Sequence, residues 1–85
     1  MKPSSLPALV EALAVEIKAR RAELGITQED LADKSGLDRG YVSLIEVGQK
    51  QPTLSVLFRL AYGLDLTFSE LAARVERRYG RHTPD

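Results

Sequence analysis

Between Lys34 and Asp38 the chain leaves itself three residues, Ser35, Gly36 and Leu37, in which to end one helix and begin another. Upstream, Thr27 offers its hydroxyl as an N-cap, and Asp30 follows three residues later as a capping-box partner in place of the usual glutamate or glutamine. That start predicts a helix over about Gln28–Lys34. Downstream, Asp38 is positioned to cap a helix that runs to about Glu46, with Tyr41 or Val42 and Ile45 as its buried face. Gly36 is expected in a left-handed turn, where a β-branched residue would strain the backbone. Ala32 lies where the two helices approach, and a larger side chain there would pry them apart. Two short amphipathic helices joined by so few residues are forced into an open V of roughly 90 to 120°, a helix-turn-helix.

Helical periodicity continues on both sides, and no stretch sustains the alternation of a strand, so the whole chain reads as all-α. Leu6, Val10, Leu13, Ile17 and Leu24 follow three- and four-residue steps along a first helix, started by Ser4, Ser5 and Pro7 and ended by Gly25. After a polar loop from Val47 to Pro52, Thr53 caps a fourth helix whose Leu54, Leu57, Leu60 and Ala61 are expected to face inward and which Gly63 closes. Leu64 and Leu66 lead to Thr67-Phe68-Ser69-Glu70, a full capping box, and a fifth helix carrying Phe68, Leu71, Ala72, Val75 and Tyr79. Arg77, Arg78 and Arg81 gather at its C-terminal end, where positive charge suits the helix dipole, and His82 to Asp85 are expected to fray. Residues 1–85 form a single domain without internal repeats.

Composition excludes several functions. A chain of 85 residues is close to the lower limit for a core that holds without staples, so a partner subunit would help. The absence of cysteine removes disulfides and thiolate metal ligands, and His82 is the only histidine, so no metal, cofactor or enzymatic chemistry is expected. No run approaches the roughly 20 apolar residues that cross a bilayer. Glu11, Glu16 and Lys18 interrupt the first segment, unlike a signal peptide, which points to a cytoplasmic protein without a membrane partner. Lysine plus arginine and aspartate plus glutamate number 12 each, so no overall charge draws the chain to phosphates. Residues 39 to 59, however, hold Arg39, Lys50 and Arg59 against Glu46 alone, a small local surplus of positive charge.

Arg21-x3-Gly25-Ile26-Thr27-Gln28-Glu29-Asp30-Leu31-Ala32-x2-Ser35-Gly36-Leu37, continued by Tyr41-Val42-Ser43-x-Ile45-Glu46-x-Gly48-x3-Pro52-Thr53-Leu54, resembles the phage repressor and Cro type of helix-turn-helix family, often called XRE. The resemblance runs from about Ile17 to Leu64, and the segment Leu37-Asp38-Arg39 to Tyr41-Val42-Ser43 is most similar to the controller proteins of restriction-modification systems. It implies a compact five-helix, lambda-repressor-like domain with residues 65–85 as a C-terminal helix and tail. It also implies a sequence-specific bacterial or phage transcription regulator that binds double-stranded DNA at a palindromic operator as a homodimer.

By the same resemblance, Arg21 and Glu46 form a partly buried ion pair, and the third helix enters the major groove. Gln28 then contacts a phosphate, and Arg39 reads a guanine through its bidentate fork. Gly40 allows close approach, and Ser43 and Leu44 touch the next base pairs. Tyr41 presents its hydroxyl to the DNA backbone or lies in the core, and Asp38 caps its helix or reads a cytosine. Gln49, Lys50, Gln51 and Thr53 grip phosphates. On the fifth helix Leu66, Phe68, Leu71, Val75 and Tyr79 are too apolar for an exposed arm; they form a two-fold dimer interface or pack on helices 1 and 4. Arg74, Arg77 and Arg78 read as a solvated face. The alternative function is a helical module with a protein partner, such as an antitoxin component, in which case the outer face of the third helix would be more apolar.

Overall fold

The computed structural model describes residues 6–80. Ser4, Ser5, Arg81 and residues 82–85 lie outside them. Five helices follow in order: α1 (Pro7–Leu24), α2 (Gln28–Ser35), α3 (Arg39–Glu46), α4 (Leu54–Gly63) and α5 (Phe68–Tyr79). The described residues contain no strand. Pro7 opens α1, where its missing N–H needs no partner. Thr27 and Thr67 each accept from the backbone N–H three residues on, while Asp30 and Glu70 accept in return from the threonine N–H. Those backbone donors hold the Asp30 and Glu70 carboxyls below the usual carboxylate range. Thr53 caps α4 by accepting from Val56 N–H at 3.3 Å.

The turn between α2 and α3 is tight because α2 runs one residue further than expected and takes in Ser35. Gly36 then adopts φ 68°, and Leu37 N–H bonds back to the Ala32 carbonyl at 2.9 Å. Asp38 occupies the N-cap position of α3, yet its side chain makes no cap bond, contrary to the role expected of it. Val42 and Ile45 are the buried pair of α3, and Tyr41 is only half-buried.

Ile17, Leu31, Val42, Ile45, Leu60, Leu64 and Leu71 meet in one core drawn from all five helices. Each such side chain contributes about 1.5–3 kcal/mol relative to exposure. Two helix faces differ from the sequence reading. Leu54 does not face inward: it shares an outer stripe with Phe58 and Tyr62 at four-residue spacing, and the three are 62%, 54% and 74% exposed. Leu71 and Val75, offered either to a dimer interface or to helices 1 and 4, take the second place: they are 1% and 8% exposed because α5 packs them against α1 and α4, leaving almost no surface for a partner.

Gly63 has a different purpose from the one its position implied. It is the last residue of α4, buried and helical rather than left-handed, and the positive φ falls instead on Asp65, at 57°. A Cβ on Gly63 would overlap Ser35 Oγ and lie 2.9 Å from Leu31 Cδ1, so the glycine lets α4 close on α2. Ser35 Oγ is itself buried without a hydrogen-bond partner.

Two arginine clusters tie α1 to the rest. Glu46, whose side chain is 1% exposed at the end of α3, accepts from Arg21 Nε at 2.7 Å and Nη2 at 2.8 Å, while Arg21 Nη1 donates to the Ile26 carbonyl at 3.0 Å. The bond to Glu46, set against partial desolvation, holds the Arg21 guanidinium above its ordinary value. The second cluster was not foreseen. Glu16, one of the charges that interrupt the first apolar segment, is buried and accepts from Arg74 Nε and Arg78 Nε, both at 2.7 Å. Arg74 also reaches Glu23, which Arg20 bridges as well, so Arg74 and Arg78 latch α5 onto α1 rather than forming a solvated face.

Gly63→Val is expected to lower stability by about 2–3 kcal/mol through overpacking, and Ser35→Ala, which removes an unpartnered hydroxyl, to be neutral or stabilising. Denaturant titration of both variants and of the double variant checks this; a Gly63→Val protein as stable as the parent would contradict the close approach. Arg21→Ala strands the Glu46 carboxylate and is expected to cost about 3 kcal/mol, the low end for a buried pair because Arg21 keeps 19% of its side chain exposed. A change in the urea midpoint equivalent to less than about 1 kcal/mol would mark the pair as a surface one.

Candidate nucleic-acid interface

The turn places the starts of α2 and α3 side by side. Arg21, Thr27, Gln28, Glu29 and Arg39 line one concavity there. Arg21, itself paired with Glu46, belongs to its lining together with residues at the starts of the two helices. Thr27 uses the Asp30 N–H in the capping box and its carbonyl accepts from Leu31 N–H, while the Gln28 and Glu29 backbone N–H groups, at the helix start, have no intrahelical partner.

Along α3 the inner and outer sides are sharply different. Val42, Ile45 and Glu46 are buried, whereas Asp38, Arg39, Gly40 and Leu44 are exposed and Tyr41 and Ser43 half-buried. Arg39 has no ion-pair partner among the described residues. A Cβ built on Gly40 would meet nothing within 4 Å, so no contact inside the protein requires glycine there, although it costs a helix about 1 kcal/mol relative to alanine.

The loop after α3 continues this face. Gly48 N–H donates to the Ile45 carbonyl and Gln49 N–H to that of Leu44, which fixes the backbone while Gln49, Lys50 and Gln51 stay exposed. Thr53 is exposed too, with its hydroxyl oxygen engaged as the α4 cap. Arg39, Gly40, Ser43, Leu44 and the loop amides are therefore all accessible. Gln28 is also held from within: its Nε2 donates inward to Glu46 Oε1 at 3.1 Å, and the residue is half-buried. Arg59, counted as part of the basic surplus, lies beside Gly36, Phe58 and Tyr62 on the α2–α4 side, apart from this concavity.

What the sequence missed is mostly charge bookkeeping. Glu46, counted against the local surplus, is neutralised by Arg21, while Arg74, Arg78, Arg20 and Lys34 are engaged by Glu16, Glu23 and Asp65. Arg39 and Lys50 remain unpaired among the described residues on the α3 side. The four-residue spacing of Arg74 and Arg78 was the available signal for a shared partner, but nothing local pointed to Glu16, which lies 58 residues away from Arg74. No described helix is long and apolar enough to cross a membrane.

Comparison with known proteins agrees with this geometry. A family model described as helix-turn-helix matches residues 17–71. An HTH-type transcriptional regulator of Sinorhizobium fredii is 39% identical over 51 residues, covering 60% of this chain and 66% of that regulator, a little under two thirds of its length. The control protein C.MunI of a Mycoplasma species is 37% identical over 60 residues, covering 71% of this chain and 81% of that protein. Among solved structures, the restriction-modification controller protein C.Esp1396I superposes with a TM-score of 0.79 at 35% identity, over 88% of this chain and 96% of that one. With the same five-helix architecture and a helix-turn-helix family model over residues 17–71, the chain belongs to the XRE-type helix-turn-helix family of DNA-binding transcriptional regulators.

Proposed function

We propose that the protein binds a palindromic DNA operator as a homodimer and regulates transcription there, in the manner of restriction-modification controller proteins. The observation that carries this reading is the open side of α3, where an unpaired Arg39 stands beside a glycine that nothing in the protomer requires. With α3 in the major groove, Arg39 spans the two acceptors of a guanine, Gly40 lets the backbone approach, and Ser43 and Leu44 face the following base pairs, the latter a thymine methyl. The Asp38 carboxylate, free of any cap bond, accepts from a cytosine amino group. Tyr41 and the loop residues Gln49, Lys50, Gln51 and Thr53 take phosphates, which set register rather than sequence. Two such cations per protomer are few, so two protomers are needed for firm binding.

The second protomer is accommodated by the outer stripe of α4. Leu54, Phe58 and Tyr62 are large, apolar or aromatic, and exposed, and the Phe58 ring stacks on Phe68 of α5 with centroids 4.5 Å apart and planes 8° apart. Half-buried Leu66, before the start of α5, and Tyr79, at its end, pack against the core. The interface expected on α5 thus shifts to α4, with Phe68 as the link, and a two-fold axis through this face pairs like with like. Two recognition helices then lie roughly 34 Å apart, one turn of the duplex.

Selection from a random DNA pool is expected to return a palindrome. In binding assays on it, Arg39→Ala loses about 1–3 kcal/mol of discrimination at one base pair per half-site. Lys50→Ala weakens all sequences alike and reduces the salt slope by about 2 per dimer. No loss in either variant favours a protein-binding module instead. Tyr62→Asp and Phe58→Asp are expected to sediment as monomers at micromolar concentration while keeping wild-type helical content; variants that stay dimeric would place the interface elsewhere. Leu71→Asp is expected to unfold the protein rather than to divide a dimer.

A further inference from the structure

Glu46 does more than close an ion pair. Its carboxylate accepts three hydrogen bonds, two from Arg21 and one from Gln28 Nε2 at 3.1 Å, and its side chain is almost completely buried. A carboxylate can only accept, so the Gln28 amide must turn its nitrogen inward; the flipped amide would set its oxygen against Glu46. One amide proton is used in this way. The other proton remains available at the rim of the concavity that Gln28 shares with Arg39 and the start of α2. Gln49 and Gln51, on the same face, are exposed and make no comparable side-chain bond among the described residues.

We infer that Glu46 is a positioning residue for DNA contact, an inference that rests on the DNA-binding reading above. It holds the Gln28 carboxamide in one orientation before a duplex arrives, so that this neutral donor meets a phosphate without first losing its rotamer freedom. Arg21 completes the device by fixing the Glu46 carboxylate from the opposite side. The core of the motif and its phosphate contact are therefore coupled through one buried carboxylate. The α2 start is set by a relay, Arg21 to Glu46 to Gln28, that joins α1, α3 and α2.

The test has two arms. In nitrogen relaxation measurements on the free wild-type protein, the Gln28 side-chain amide is expected to be rigid while those of Gln49 and Gln51 are mobile. In binding to the selected palindromic duplex at fixed salt, Gln28→Ala and Glu46→Gln are each expected to weaken affinity about 5- to 10-fold with an unchanged salt slope, and the double variant to lose no more than either alone. A Gln28 amide as mobile as that of Gln49, or additive losses in the double variant, overturns the inference while leaving DNA binding intact. Should Glu46→Gln fail to fold, the relaxation arm on the wild type decides by itself. Wild-type protein that binds no duplex overturns the DNA-binding reading, and the inference falls with it.

Discussion

A buried carboxylate at the end of α3 sets the terms for the rest of the molecule. Glu46 cannot remain charged in the interior unless donors surround it, and the donors come from α1 and α2. Meeting that demand orients α3 relative to both helices. The core beneath it supplies most of the stabilisation, but apolar contacts are weakly directional, whereas a bidentate guanidinium fork tolerates little rotation. The angle at which α3 is offered to solvent therefore follows from the carboxylate as much as from the turn.

The same logic explains how a chain without net charge can serve a polyanion. Neutrality of the whole conceals a partition in which several acids and bases of α1 and α5 engage one another. Glu16 between Arg74 and Arg78, and Glu23 between Arg20 and Arg74, remove five charged side chains from the open surface field and lock α5 in place. Arg39 and Lys50 are left without such partners, on the side where α3 faces outward. Weak attraction of this kind places more of the burden on fit and, in the dimer we propose, on symmetry.

Local rules made much of this legible. The two capping boxes, the glycine after α2 and the three- and four-residue spacing of apolar positions each describe an event within a few residues, where one helix's own hydrogen bonding decides the outcome. Leu54 was misread for a related reason. A leucine in the first turn of a helix can fall on either face, and only the neighbouring helices settle which; here α2 and α5 cover Leu57, Leu60 and Ala61 and leave Leu54 outside. Leu71 and Val75 were ambiguous in the same manner, since an apolar stripe looks alike whether its own core or another copy covers it.

Sequence by itself determined the five helices, most of their ends, the tight turn between α2 and α3 and the family resemblance, because these follow from short-range backbone chemistry and from residues at set intervals. Only the tertiary structure decided which charges neutralise one another, that Gly63 is small for the sake of Ser35 and Leu31, and that the Gln28 amide donates inward to Glu46. Those outcomes depend on distances between residues up to 62 positions apart, and a side chain's partner across such a span is chosen by the packing of whole helices rather than by its neighbours in the chain.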